Sequence, residues 1–168
     1  MNLIVTVGSL PYAFDRLVRA ADEWVAGHPQ HAVFVQFGYS TYEPRHVAEA
    51  FAFAPFAHFQ ELFAAVDLVI AHGSAGPILE ARRRSIPVVL VPRQEKHGEC
   101  YNDHQVEICE AIRGQSAMQE IVLEIADLPS AVDRAIAKRL ARAAYEPHLL
   151  KDRLVATIAA FVENVARD

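Results

Sequence analysis

The stretch that decides the fold is DLVIAHGSAGPILEARRRSIPVVLVPRQEKHGECYNDHQ, residues 67–105. Its first five residues, Asp67 to Ala71, are short, apolar and β-branched, the pattern of a parallel strand buried on both faces. His72-Gly73-Ser74-Ala75-Gly76-Pro77 follows, a run of small residues that lets the backbone turn sharply and approach a ligand closely. Ile78 to Ser85 reads as a helix, with Pro77 suited to its first turn. Val88 to Val91 is a second strand, Arg93 to Gly98 a polar loop, and helix is expected again from about Glu99 to Arg113. A helix start after such a turn offers unpaired N–H groups and a positive dipole end. The segment therefore predicts a site for a phosphorylated ligand.

Working outward, strands are expected at Leu3–Val7, His31–Phe37, Ala48–Phe53 and Ile121–Ile125. Helices fall between them at Phe14–Ala26 and Phe56–Val66. In the first, Phe14, Leu17, Val18, Ala21, Trp24 and Val25 share one broad face, and Gly27-His28-Pro29 ends the run. Strands alternating with helices predict an α/β fold, a Rossmann-like parallel sheet covered by helices on both faces. Ligands of such sheets bind beyond the carboxyl ends of the strands. Gly8-Ser9, Gly38-Tyr39, His72 to Gly76 and Arg93 to Gly98 all fall on that edge. No linker, repeat or low-complexity tract interrupts the chain, so residues 1–168 are expected to form one domain, with C-terminal helices from about Asp127. The last helix carries Leu150, Leu154, Ile158, Phe161 and Val165 as an apolar stripe, to be packed on the domain's own sheet or turned to a partner.

Composition narrows the function. At 168 residues and 52% apolar, the chain can bury a core without disulfides. A net charge of -5 gives no nucleic-acid footprint. No apolar run reaches the ~20 residues of a spanning helix, and Met1 to Val7 lacks a basic n-region, so no signal peptide is read. Cys100 and Cys109, nine residues apart on a predicted helix, point to opposite faces and a reduced compartment. His97, Cys100 and His104 match no standard zinc spacing, so no metal is expected.

HGSAGPILEA (72–81) followed by PVVLVPRQEKHGECYNDHQ (87–105) resembles the donor-binding half of a GT-B glycosyltransferase of the family 28 type. LIVTVGSLPYAFDRLVRA (3–20) is similar to the opening of that family, and VFVQFGYSTYEP (33–44) to its second block. Several blocks in order are far more specific than one glycine motif. The resemblance is nearest to the small subunit of split bacterial exopolysaccharide and capsule glycosyltransferases, and more distant to the donor subunit of the eukaryotic two-part N-acetylglucosaminyltransferase acting on dolichol-linked sugars. It implies one half of a GT-B fold, a UDP-sugar co-substrate, no cofactor and no essential metal. It also implies a cytoplasmic protein, recruited to the inner face of the membrane by an acceptor-binding partner subunit that presents a lipid-linked oligosaccharide.

The same resemblance assigns roles. Glu80 would accept the ribose hydroxyls, as an acceptor-only carboxylate can; alone it reads as a solvated helix carboxylate before Arg82, Arg83 and Arg84. His72 would contact phosphate together with the N–H groups of Ser74, Ala75 and Gly76, with Gly73 in the same binding turn, or else satisfy a carbonyl at the strand end. The turn departs from the family's HGG-x-G-[ST] form: Ser74 replaces the second glycine and Pro77 the hydroxyl residue, removing one phosphate donor that Ser74 itself could resupply. Gln94, Asn102, Asp103, His104 and Gln105 would lie near the sugar and diphosphate, while Asn102 or Asp103 could equally cap the next helix. Arg93 could neutralise diphosphate or pair with Glu95 or Glu99. Gly8 and Ser9 would face the cleft, although a plain tight turn explains them as well. Tyr39 to Tyr42 could touch base, substrate or partner, or simply pack.

The expected activity is therefore transfer of a hexosyl group from a UDP-sugar to a lipid-linked acceptor by a two-component enzyme. Its general base is not identifiable in this chain and is expected across the cleft. A nucleotide-sugar-binding regulatory subunit without chemistry is the alternative. A dinucleotide-dependent oxidoreductase would need G-x-G-x-x-G after the first strand, which Val7 to Tyr12 does not supply.

Overall fold

A computed structural model of the chain describes residues 1–140. Six strands, β1 (Asn2–Thr6), β2 (Ala32–Gln36), β3 (Glu49–Phe51), β4 (Leu68–His72), β5 (Val88–Val91) and β6 (Gln119–Ile121), form one sheet in the order β3-β2-β1-β4-β5-β6. Every pairing is parallel, with Leu3 opposite Val33 on one side and Leu68 on the other. Five helices accompany them: α1 (Asp15–Ala26), α2 (Phe56–Ala65), α3 (Ala75–Arg83), α4 (His104–Ile112) and α5 (Leu128–Leu140).

The pleat sorts the apolar side chains into two cores. Leu3, Val5, Val33, Val35, Ile70, Val89 and Val91 pack with Leu17, Val18, Ala21 and Trp24 of α1 and with Leu128, Ala131, Val132 and Ala135 of α5. Ile4, Val69, Ala71, Val88 and Leu90, one residue out of phase, pack with Leu62 and Phe63 of α2, Ile78 and Ala81 of α3, and Cys109 and Ile112 of α4. Helices thus cover both faces, which is why β1, β4 and β5 tolerate no polar residue in their central positions. The chain winds outward from β1 to β3, then returns to lay β4 on the other side of β1. That reversal opens a crevice at the carboxyl ends of β1 and β4.

Three boundaries differ from the sequence reading by three residues or more. Helix α3 begins at Ala75, three residues early, so Gly76 and Pro77 lie in its first turn. Helix α4 begins at His104 rather than Glu99. A 3-10 turn at Glu95–His97 ends on Gly98 in the left-handed region (φ 68°), and the Glu99 carbonyl is taken by the Arg93 side chain at 2.9 Å, which holds 99–103 as a loop. Cys100 is accordingly a loop residue and not on a helix with Cys109; both are buried and free. The last strand is shifted to 119–121, because beyond Val122 the Leu123 carbonyl accepts from Gln94 and Arg16 instead of from a neighbouring strand. The apolar stripe from Leu150 to Val165 and the break at Tyr145 to Pro147 lie outside the described residues.

Candidate functional site

The floor of the crevice is a buried polar latch. Gln36, at the end of β2 and 2% exposed, accepts from the Thr6 hydroxyl (2.8 Å) and the Gly8 N–H (3.0 Å) through Oε1. Its Nε2 donates to the carbonyls of Gly8 (3.0 Å) and Ala52 (2.8 Å). One side chain thereby ties together the exits of β1, β2 and β3, with every hydrogen-bonding position of the amide in use. Gly8 has φ +76°, and a Cβ there would stand 2.7 Å from the His72 ring. Glycine is required at this position twice over, by backbone conformation and by contact.

His72, the last residue of β4, lies against that glycine. Its Nδ1 is 3.3 Å from the Thr6 carbonyl and its Nε2 2.7 Å from the Ser74 hydroxyl. Burial pushes the imidazole down to about 4, aided by the Arg93 charge and opposed by the Thr6 carbonyl, so the ring is neutral at pH 7. A carbonyl only accepts, so the single ring proton belongs on Nδ1 and Nε2 accepts from Ser74. In this state its N–H is committed to the Thr6 carbonyl, the alternative that the sequence reading set beside phosphate contact.

Ser74 precedes α3 in extended conformation but makes no side-chain cap bond. An N-cap serine ordinarily bonds the N–H two or three positions on. Here the third helical residue is Pro77, which has no N–H, and the hydroxyl is turned to His72. The N–H groups of Ala75 and Gly76 are consequently left open at the helix start. A Cβ on Gly76 would meet nothing within 4 Å, so this end faces free space. Gly73 differs: a Cβ there would meet Cys109 Sγ at 2.7 Å and the Gln105 carbonyl at 3.0 Å, which makes it a packing glycine between β4 and α4.

Above this floor opens a cavity of about 510 Å³. Thr6, Gly8, Ser9, Gln36, His72, Ser74 and Gly76 line its base, while Phe53, Phe56, Phe59 and Phe63 form a wall on the α2 side. Phe56 is 77% exposed and Phe53 51% exposed, a placement that leaves aromatic faces available for stacking. Glu80 and Gln60 complete the rim. Among the described residues, Glu80 is the one acidic or basic side chain in this lining apart from His72, and no Lys or Arg is part of it. Arg83 donates to both Glu80 oxygens (3.1 and 2.7 Å) and Arg84 to one (2.5 Å). The Arg83 bonds, with help from Arg84, hold the carboxyl below its usual range. Glu80 is thus both the ion-paired helix carboxylate and a pocket residue, with Oε2 retaining capacity to accept.

The second polar group lies elsewhere. Arg93 is 0% exposed and donates to the carbonyls of Val7, Tyr12, Ala13 and Glu99, with its guanidinium 4.6 Å above the Phe14 ring. Burial lowers it to about 10, so it stays charged. It pairs with neither Glu95 nor Glu99 through a carboxylate; Glu99 is held bidentately by Arg16 at 2.8 and 2.9 Å. Gln94 is buried and donates to the Leu123 carbonyl. Asn102 accepts from the His104 N–H (3.3 Å), Asp103 from the Glu95 N–H (2.8 Å), and the His104 ring meets Glu107 (3.1 Å). Only the Asn102 bond joins the loop to the start of α4; Asp103, the residue before the helix, makes no side-chain cap bond. Gln105 Oε1 accepts from the N–H groups of Gly73 and Arg93, both at 3.1 Å, joining the exits of β4 and β5. None of Arg93, Gln94, Asn102, Asp103, His104 or Gln105 lines the cavity.

Sequence reasoning missed the aromatic wall and the latch. Five phenylalanines within residues 51–63 were a usable signal, since packing alone rarely leaves so many on one short segment. Gln36 offered a weaker one, a lone amide closing an apolar strand. Among the described residues, no group of three His, Cys, Asp or Glu is placed to hold a metal ion, and no helix is long and apolar enough to cross a membrane.

The sequence profile of the glycosyltransferase family 28 C-terminal domain matches residues 2–157. No curated protein matches the chain significantly. Among solved structures, the glycotransferase of kitacinnamycin is similar at TM-score 0.59 and 19% identity, over 97% of this chain and 42% of its own. MurG of Acinetobacter baumannii is similar at TM-score 0.58 and 17% identity, over 83% of this chain and 42% of its own. CalG4, the calicheamicin glycosyltransferase, gives 0.57 and 20%, over 99% and 41%. The chain thus spans about two fifths of the solved chains it matches. At these identities the likeness speaks to fold alone: a Rossmann-like half of the GT-B architecture.

Proposed function

The chain belongs to the glycosyltransferase family 28 C-terminal domain family, and on that premise we propose that it is the donor-binding and catalytic subunit of a two-component hexosyltransferase. The observation that carries this reading is the cavity at the β1–β4 switch point, where an uncapped helix start, an aromatic wall and an acceptor carboxylate surround one space. In this reading the uracil of a UDP-sugar stacks on the phenylalanine wall. Glu80 accepts the ribose hydroxyls, kept ionised by Arg83 and Arg84. The diphosphate lies at the Ala75 and Gly76 N–H groups, where the dipole of α3 stabilises charge as UDP leaves. Residues 1–168 act as one nucleotide-sugar-binding domain.

Inversion at the anomeric carbon follows from in-line attack on a donor so held. The acceptor, its general base and the membrane attachment belong to a membrane-associated partner subunit, and the product is a lipid-linked sugar for exopolysaccharide or capsule. These finer features rest on the sequence resemblance to split enzymes of this type. The test is reconstitution: membranes containing the partner are incubated with this chain and radiolabelled UDP-sugars, and lipid-extractable label is counted. Label that requires both proteins supports the reading. Label formed equally without this chain overturns it, and dependence that survives loss of the donor pocket would make the chain a regulatory subunit.

A further inference from the structure

Among the described residues, the pocket that would receive a diphosphate has no Lys or Arg in its lining, where the one carboxylate, Glu80, is paired with Arg83 and Arg84. Two backbone N–H groups open into the pocket at the start of α3, and beside them stand His72 and Ser74, bonded to each other at 2.7 Å. In the free chain this pair presents the wrong polarity to an anion. Ser74 gives its hydroxyl hydrogen to His72 Nε2, so the serine turns only lone pairs outward. His72 cannot reverse the arrangement by changing tautomer, because Nδ1 would then oppose the Thr6 carbonyl at 3.3 Å, acceptor against acceptor.

We propose that the His72–Ser74 pair is a proton-coupled phosphate clamp: diphosphate binding draws one proton from solvent onto His72 Nε2 and so frees the Ser74 hydroxyl to bond the ligand. The inference rests on the donor-site reading given above and deepens it. The balance is simple. The solvent proton forms the new Nε2–H bond, Ser74 Oγ–H···Nε2 is replaced by Nε2–H···Oγ, and the intact Ser74 hydroxyl turns to donate its hydrogen bond to a phosphate oxygen. Nδ1–H···O=C to Thr6 is kept, and the imidazolium supplies the positive charge that the lining lacks. Ser74 stands where the resembled family has glycine, so the clamp is a property of this turn.

The charged groups around the ring decide whether the proton is held. Arg93, from the loop after β5, disfavours it, while burial keeps the empty site neutral. Glu80, on α3, lines the same pocket but is already paired with Arg83 and Arg84 of the same segment, so it is the incoming anion that favours it. Thr6 of β1, Gly8 beyond its end and Gln36 of β2 present no charge. The ligand thus shifts the balance, and binding strengthens as pH falls.

Calorimetric titration of the full-length chain with UDP-glucose and UDP-N-acetylglucosamine tests this, since their phosphodiesters do not titrate between pH 5 and 8. Runs at pH 6 in buffers of different ionisation enthalpy report the protons exchanged. Uptake approaching one proton, with affinity falling up to tenfold per pH unit above that, is the expected result. Ser74→Ala should bind more weakly, and His72→Asn should bind without uptake. Ring ¹⁵N spectra of the unaltered protein should change from a singly to a doubly protonated His72 on saturation. Tight binding with no proton exchange and an unchanged ring spectrum would overturn the clamp while sparing the donor site. Absence of binding by either sugar nucleotide and by UDP would overturn the donor site and the clamp with it.

Discussion

Gly8→Ala places a single methyl group where the β1 exit meets His72, and its consequences can be worked out from the geometry. Gly8 sits at φ +76°, where an L-residue is disfavoured by about 1–2 kcal/mol. The new Cβ would stand 2.7 Å from His72 Cε1 and Nε2. Non-bonded carbons settle near 3.5 Å, so the ring must retreat by roughly 0.8 Å. It is held on both sides, by Thr6 and by Ser74, and retreat weakens at least one bond worth about 1 kcal/mol. The sum is about 2–4 kcal/mol, which for a chain of this length lowers Tm by roughly 5–15 °C. Urea denaturation followed by circular dichroism measures it. Gly76→Ala is the control: it meets nothing within 4 Å and lies in the first turn of α3, so it should leave stability unchanged or raise it by up to ~1 kcal/mol. A Gly8→Ala protein as stable as the unaltered chain, or indistinguishable from Gly76→Ala, would refute the described packing of the pocket floor.

Other consequences are more briefly stated. Gln36→Leu leaves the Thr6 hydroxyl, the Gly8 N–H and two carbonyls without their partner and should destabilise by about 2–4 kcal/mol in the same assay. Arg93→Met removes the donor to four carbonyls and should cost a similar ~2–4 kcal/mol, whereas a diphosphate-binding arginine would be nearly silent for stability. His72 is neutral above pH 6.5 both folded and unfolded, so its contribution is complete there. As pH falls from 6.5 toward 4, the unfolded chain takes up the proton first, and stability declines by up to about 3 kcal/mol in total. The difference in stability between the unaltered chain and His72→Asn across that window isolates this slope from the other histidines and the carboxylates.

The sheet and its carboxyl edge were legible because a strand buried on both faces must be continuously apolar, as Leu68 to Ala71 and Val88 to Val91 are. Small residues and proline marked the β4–α3 turn for a local reason, and four of its members, His72, Ser74, Gly76 and Pro77, do line the cavity. The contacts that the sequence did not foretell share a cause. Arg93, Gln94 and Glu99 are polar, and polar loop residues beside a ligand edge suggest contact with solvent or ligand. Their partners are the carbonyls of Val7, Tyr12, Leu123 and the guanidinium of Arg16, up to 86 residues away in sequence. Local patterning carries no trace of such pairings. The same distance hid the latch, since Gln36 acts on Thr6 and Gly8 from a different strand. Asp22 is a comparable case, a carboxylate on the apolar face of α1. Burial alone would raise its pKa, but Tyr42, His46 and Arg45 together hold it low and fix the loop after β2.

The central claim is that the switch-point cavity binds a uridine nucleotide through Glu80 and the start of α3. Calorimetric titration of the full-length chain with UDP, beside NAD and a Glu80→Ala variant, addresses it directly. The account predicts that UDP binds, that Glu80→Ala weakens it by about 10- to 100-fold through loss of charge-assisted hydrogen bonds, and that NAD does not bind. UDP binding of equal strength to the variant, or binding of NAD in place of UDP, would contradict it.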